Sequence, residues 1–220
     1  MNKKEIASLI DHTVLAPDAP HAARAAACEF AAANKCAAVC ISPFFVAECA
    51  QRLAGTDVKV CTVVGFPHGV ASTGAKVAEA RIAMEDGADE LDMVVNAAKI
   101  KDQDWDYVKR DIAAVTAAVH GAGRKIKVIF ENCLLDDCEK IRLCEICSEL
   151  RCDWVKTSTG YGSGGATLED VALMKAHIAP EVQIKAAGGI RTLEQVLAFH
   201  AAGATRIGCS RTAAVLADKQ

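Results

Sequence analysis

The chain has 220 residues, of which 25 are basic and 28 acidic, giving a formal net charge of -3, with 52% hydrophobic but only 5% aromatic side chains. This length predicts one domain, residues 1–220, whose core is filled by Ala, Val, Ile, Leu and Cys rather than by large rings. No basic block offers a surface to nucleic-acid phosphates, and no apolar run reaches the roughly 18 residues of a membrane span, so neither nucleic acid nor membrane is expected as a partner.

Met1 to Glu5 is polar and charged, so neither export nor insertion is expected, and the cytoplasm is the predicted location. Short apolar, β-branched runs then recur: Leu9–Thr13, Ala37–Ile41, Lys59–Val64, Glu90–Asn96, Ile126–Glu131, Asp153–Ser158, Val182–Ala186 and Thr205–Gly208. Segments of helical period lie between them, as in Trp105, Val108, Ile112, Val115 and Val119, which fall three or four apart on one stripe. Gly87, Gly121 and Gly203 follow such stretches and are expected to end helices in the left-handed conformation. Thr167 with Asp170, and Thr192 with Gln195, have the spacing of capping boxes at helix starts. Strand and helix thus alternate at roughly 22 to 36 residues per unit, which predicts an α/β fold, a parallel (β/α)8 barrel of the TIM type. An open doubly wound sheet is disfavoured because no glycine-rich nucleotide fingerprint follows an early strand.

Eleven cysteines in a chain of this size read as reduced, buried thiols rather than a disulfide framework. Cys138, Cys144, Cys147 and Cys152 include a CxxC spacing, but Asp136 to Leu150 reads as a helix that turns Cys144 and Cys147 toward the core. His12 and His68 alone among the six histidines fall near strand ends, so no metal site is expected and no cofactor is implied.

Side chains at the carboxyl ends of barrel strands share one mouth, which singles out charges set inside apolar strands: Asp92, Lys156 and Lys185. A buried lysine tends toward the neutral amine, a nucleophile for carbonyl carbon; a second ammonium favours that state, and a nearby carboxylate can hold one lysine protonated. Two lysines and an aspartate therefore predict Schiff-base chemistry. Gly188-Gly189 after the seventh strand and Gly208-Cys209-Ser210-Arg211 after the eighth lie where barrels bind phosphate, with Ser210 and Arg211 as further donors. The glycine-rich loop Gly160 to Gly165 is expected to close over the substrate.

The segments Ile10-Asp11-His12-Thr13, Val39-Cys40-Ile41, Val64-Gly65-Phe66-Pro67, Gly87 to Val94, Val155 to Gly160, Lys185 to Gly189 and Gly208-Cys209-Ser210, in this order, resemble the deoxyribose-phosphate aldolase family. The resemblance implies a (β/α)8 barrel and reversible cleavage of 2-deoxyribose 5-phosphate to glyceraldehyde 3-phosphate and acetaldehyde, in deoxyribose phosphate catabolism, without cofactor. It makes Lys156 the Schiff-base lysine with Lys185 and Asp92 as proton-transfer partners, places Asp11, Cys40 and Thr157 at the site, and sets Gly188, Gly189, Gly208 and Ser210 around the phosphate. The partner implied is a small phosphorylated sugar, with a homo-oligomer, a dimer first, as the assembly. The chain departs from the family's pattern at Ser42-Pro43, at Ser210-Arg211, and at Ala217-Asp218-Lys219-Gln220, where some members carry a tail with a proton-transferring tyrosine. A transaldolase-like barrel would share Lys156 and the phosphate loops, and a non-catalytic sugar-phosphate binder would lack amine chemistry.

Overall fold

The computed structural model describes residues 1–217. Eight parallel strands, β1 (Ile10–Val14), β2 (Ala38–Ile41), β3 (Lys59–Val64), β4 (Glu90–Val94), β5 (Lys125–Ile129), β6 (Trp154–Lys156), β7 (Gln183–Ala187) and β8 (Arg206–Cys209), close into a barrel in chain order. The closing seam joins the first and last of these, with Ile10 opposite Ile207 and Asp11 opposite Gly208. Around it run α1 (Lys3–Ala7), α2 (His21–Asn34), α3 (Val46–Leu53), α4 (Thr73–Glu85), α5 (Ala97–Lys101), α6 (Trp105–Gly121), α7 (Asp137–Glu149), α8 (Leu168–His177), α9 (Leu193–Ala201) and α10 (Thr212–Ala217). Among the described residues no helix is long and apolar enough to cross a membrane. Asp218, Lys219 and Gln220, where the comparison of chain ends falls, lie outside the described residues.

The predicted strands all form. The short helices α1 and α5 carry no long apolar stripe and went unread. The stripe on α6 buries Val108, Ile112, Val115 and Val119, while Asp104 caps the helix by accepting the Tyr107 N–H. Both bonds of the capping box join Thr192 and Gln195. Thr167 accepts the Asp170 N–H, but the Asp170 carboxylate turns to Lys140 at 2.8 Å instead of closing a box, because a buried ammonium is the stronger partner. Gly87 and Gly203 take left-handed φ values of +107° and +113° as expected, whereas Gly121 remains helical and Gly123, at +68°, makes the turn. Cys144 and Cys147 are fully buried on α7 and Cys138 is exposed.

Alternate residues of each strand point outward to the helices and inward to the barrel axis. The outward set, including Ile10, Val39, Val60, Leu91, Val128, Val155, Ile184 and Ile207, joins the helices in one continuous apolar core. The inward set is divided. Leu15, Ala38, Cys40, Cys61 and Val63 form a small apolar cluster on the β1–β3 side, and charged side chains from β4 to β8, joined by Asp11 of β1, fill the rest. Small Ala and Cys side chains on one wall leave room for long lysines from the other.

Candidate active site

Asp92 on β4 is completely buried near the centre of the barrel. Its Oδ2 accepts from Lys156 Nζ at 2.8 Å and from Lys185 Nζ at 2.7 Å, while Oδ1 accepts from Lys127 Nζ at 2.8 Å and from the Cys61 thiol at 3.2 Å. Parallel register makes this possible: Asp92 lies opposite Lys127, and Lys156 opposite Lys185, on neighbouring strands. Lys185 also reaches Asp11 at 2.5 Å, and Arg206 joins Asp11 at 2.6 Å to Glu90 at 2.7 Å. Lys127 completes the ring by reaching Glu90 at 2.7 Å. Buried charges are tolerated only when paired and hydrogen-bonded, a condition these groups meet.

Burial works against ionising Asp92, yet Lys127, Lys156 and Lys185 outweigh it and hold its carboxyl well below the usual range. Burial likewise opposes ionisation of Asp11, and Lys185, Arg206 and Lys127 again win, keeping it a carboxylate. Burial also tends to strip the protons from Lys185 and Lys127, but the carboxylates around them raise both above the ordinary lysine value. Lys185 is thus held protonated beside Lys156, which meets a single carboxylate where Lys185 meets two.

Lys156 opens upward into a cavity of about 680 Å³ formed by the loops after β1, β6, β7 and β8, with Gly160, Tyr161, Gly188, Gly189, Arg191, Gly208 and Ser210 in its wall and Asp18 on the opposite loop. Gly188 takes φ +89°, and a Cβ there would stand 2.9 Å from Gly165 Cα. A Cβ on Gly165 would come within 2.3 Å of the Gly188 carbonyl, so the β6 and β7 loops touch backbone to backbone, laced by the Ala166 N–H on that carbonyl at 3.1 Å. Tyr161 arches over the mouth, its hydroxyl donating to the Leu15 carbonyl at 2.8 Å and its ring meeting Phe66 edge-on at 5.4 Å. Glu131 anchors the root of that loop by accepting the Thr159 N–H at 3.2 Å and the Thr159 hydroxyl.

Of the residues singled out in the sequence, Lys156, Lys185, Asp92 and Asp11 meet in one network, and Lys156, Gly188, Gly189, Gly208 and Ser210 face the cavity. Gly208 also makes room below, since a Cβ on it would stand 2.9 Å from Ala187 Cβ and 3.4 Å from Lys185 Cε. Cys40 lies in the apolar cluster, not in the cavity wall, its thiol lowered chiefly by a hydrogen bond with Cys61. Thr157 is buried, its hydroxyl donating to the Ala187 carbonyl and accepting the Ala187 N–H, each at 3.1 Å, which clamps β6 to β7. Arg211 is exposed and outside the wall; the arginine that lines the cavity is Arg191.

Sequence reading missed Arg191, Lys127, Glu90 and Arg206. The spacing of Glu90 and Asp92, two apart on one face of a strand, could have found the second carboxylate, and Lys127 amid apolar neighbours in Lys-Ile-Lys-Val-Ile carries the same signal. Ligand-type atoms of Cys40, Cys61 and Asp92, and of Asp11, Cys61 and Glu90, gather within 4.8 Å. The Lys127 ammonium already bonds Cys61 at 3.2 Å along with Asp92 and Glu90, so a lysine holds the position a metal cation would take.

A family model described as DeoC/LacD family aldolase matches residues 6–214. A deoxyribose-phosphate aldolase of Rhodopirellula baltica is 51% identical over 97% of this chain and 89% of its own length. One of Thermococcus kodakarensis is 51% identical over 96% and 95% respectively. The structure of a tetrameric deoxyribose phosphate aldolase from Aeropyrum pernix superposes with a TM-score of 0.91 at 29% identity, covering 99% of this chain and 92% of that one.

Proposed function

The chain belongs to the DeoC/LacD family of aldolases, and on that footing we propose that it is a class I aldolase which reversibly cleaves 2-deoxyribose 5-phosphate to glyceraldehyde 3-phosphate and acetaldehyde. The observation that carries this reading is the fork at Asp92 Oδ2, which joins Lys156 at the cavity floor to Lys185 beneath it at 2.8 and 2.7 Å. The near relatives named deoxyribose-phosphate aldolase supply the substrate.

In this mechanism the free amine of Lys156 attacks C1 of the open-chain sugar, and loss of water gives an iminium. The C3 hydroxyl proton leaves through water to the Asp92–Lys185 pair, the C2–C3 bond breaks, and its electron pair passes to the iminium nitrogen as an enamine. Glyceraldehyde 3-phosphate departs. Protonation of the enamine at C2 and hydrolysis of the imine release acetaldehyde and restore Lys156. Gly188, Gly189, Gly208 and Ser210 receive the phosphate, with Arg191 as its cation; Arg211 points elsewhere. The glycines let backbone N–H groups come close to the oxygens, and the guanidinium adds charge-assisted bonds.

Residues 1–220 act in this reading as one domain in deoxyribose phosphate catabolism. The free cysteines, nine of eleven buried, suit a reducing cytoplasm. Self-association is part of the same proposal, with a dimer as the smallest assembly and the tetramer described for Aeropyrum pernix as the larger one.

The test is peptide mapping after incubation with deoxyribose 5-phosphate and borohydride, which reduces an imine to a stable amine. A stable adduct is expected on Lys156 and is lost in Lys156→Ala. Binding of the sugar phosphate with no adduct would remove the aldolase reading. Transfer of dihydroxyacetone in place of acetaldehyde would mark a transaldolase-like activity instead.

A further inference from the structure

Beneath Lys156 and Lys185 lies a second deck of charge that the reaction as described does not use. Lys127, Glu90 and Arg206 are buried or nearly so and stay out of the cavity wall, so none of them meets substrate. Lys127 joins the lower deck to the upper one, with Glu90 at 2.7 Å, Asp92 at 2.8 Å and Asp11 at 3.5 Å. Arg206 joins Glu90 at 2.7 Å to Asp11 at 2.6 Å.

The connected network holds three carboxylates, Asp11, Glu90 and Asp92, against four cationic side chains, Lys127, Lys156, Lys185 and Arg206. It balances when one amine is uncharged. Lys127 meets three carboxylates, Lys185 two and Lys156 one, and that one is shared with the other two lysines. Lys156 is therefore the amine with the least carboxylate support. Facing it from the other strands are the thiols of Cys40 on β2 and Cys61 on β3, buried in the apolar cluster. Glu131 and Tyr161 stand higher, at the rim, with their oxygens engaged by Thr159 and Leu15 respectively.

We propose that Lys127 and Glu90 are positioning residues whose opposite charges set the protonation of Lys156, so that the reacting amine stays free at neutral pH. The inference rests on the Schiff-base reading of Lys156. Removing the Lys127 charge leaves a carboxylate in excess, which draws a proton onto Lys156. Removing the Glu90 charge leaves a cation in excess, which drives the proton off. A purely structural role gives no such opposition of sign.

The experiment measures, as a function of pH, the rate at which acetaldehyde and cyanoborohydride label Lys156, followed by intact mass. Lys127→Met is expected to move the midpoint to higher pH and Glu90→Gln to lower pH, each by up to about one unit, because these charges reach Lys156 through Asp92 rather than by direct contact. The double variant should return toward the wild-type midpoint. Shifts in one common direction, or none, in variants that retain the wild-type circular dichroism overturn the proposal while leaving the aldolase intact. If wild type itself takes no label, the aldolase reading falls first. Should Lys127→Met fail to fold, the nearly isosteric Glu90→Gln decides alone: an acid shift supports the proposal, and an alkaline shift or none overturns it.

Discussion

Asp92 spends both carboxylate oxygens on lysines, and this division gives each lysine its part. Lys185, gripped by Asp92 and Asp11, remains an ammonium, and in the proposed mechanism it hands protons back and forth. Lys156, with one shared contact, is the amine open to the cavity. At the far side of the cavity, Arg191 stands beside Gly188 and Gly189, whereas Arg211 is turned to solvent. A charge-assisted bond to phosphate is worth about 1.5–3 kcal/mol, which predicts a rise in KM for deoxyribose 5-phosphate of roughly 10- to 100-fold in Arg191→Ala. Labelling of Lys156 by acetaldehyde, which has no phosphate, should be unchanged in that variant, and Arg211→Ala should leave KM alone. Steady-state kinetics on both variants checks the assignment, and the reverse pattern would transfer the role to Arg211.

At the scale of elements, the site depends on loops that follow strands whose register is fixed by a closed barrel. The β6 loop carries Gly160 and Tyr161 into the cavity wall and the β7 loop carries Gly188 and Gly189, and the two meet at Gly165 and Gly188 without room for a side chain. Gly165→Ala places a methyl 2.3 Å from the Gly188 carbonyl, so the two backbones must part. Overpacking of this kind costs about 1–3 kcal/mol, or roughly 2–12 °C in Tm for a chain of this size. Because Gly188 and Gly189 move with their loop, KM for the phosphorylated sugar should rise more than kcat falls. A melting curve beside a Michaelis plot distinguishes this from loss of the whole fold, in which active protein falls and KM stays put.

For the whole molecule, a barrel with a charged interior is a liability that the pairing has to offset. The depressed carboxyls of Asp11 and Asp92 contribute stability that is fully present above the unfolded carboxylate range, near pH 4, and is lost as pH falls through their folded values. The raised Lys127 and Lys185 contribute stability that is present below about pH 10 and is lost as pH rises through their folded values. Asp11, Asp92, Lys127 and Lys185 should thus add nothing to the pH dependence of Tm between those limits. Asp11→Asn leaves Lys185 and Arg206 short of a buried partner, a loss of about 3–5 kcal/mol, on the order of 10 °C in Tm. That gap from wild type should be constant from about pH 5 to 9 and narrow below about pH 4. A gap that widens on acidification would mean that Asp11 is not ionised in the folded protein.

The alternation of β-branched runs with 3.6-residue stripes was enough to determine eight strands, the helices between the longer ones, and the barrel class, because each element announces its buried face locally. Asp92, Lys156 and Lys185 were legible for the same reason, as charges interrupting apolar strands. What pairs with what was not. The lower deck of Lys127, Glu90 and Arg206 and the retreat of Cys40 and Thr157 from the cavity wall follow from strand register and barrel closure, and it is the loop after β7, with Arg191, that brings an arginine into that wall. Register and closure bring residues 11 and 206, or 90 and 206, within a hydrogen bond. Sequence spacing states which face of a strand a side chain takes; only the closed barrel decides which side chain it meets across the axis, and with it where the charge is balanced.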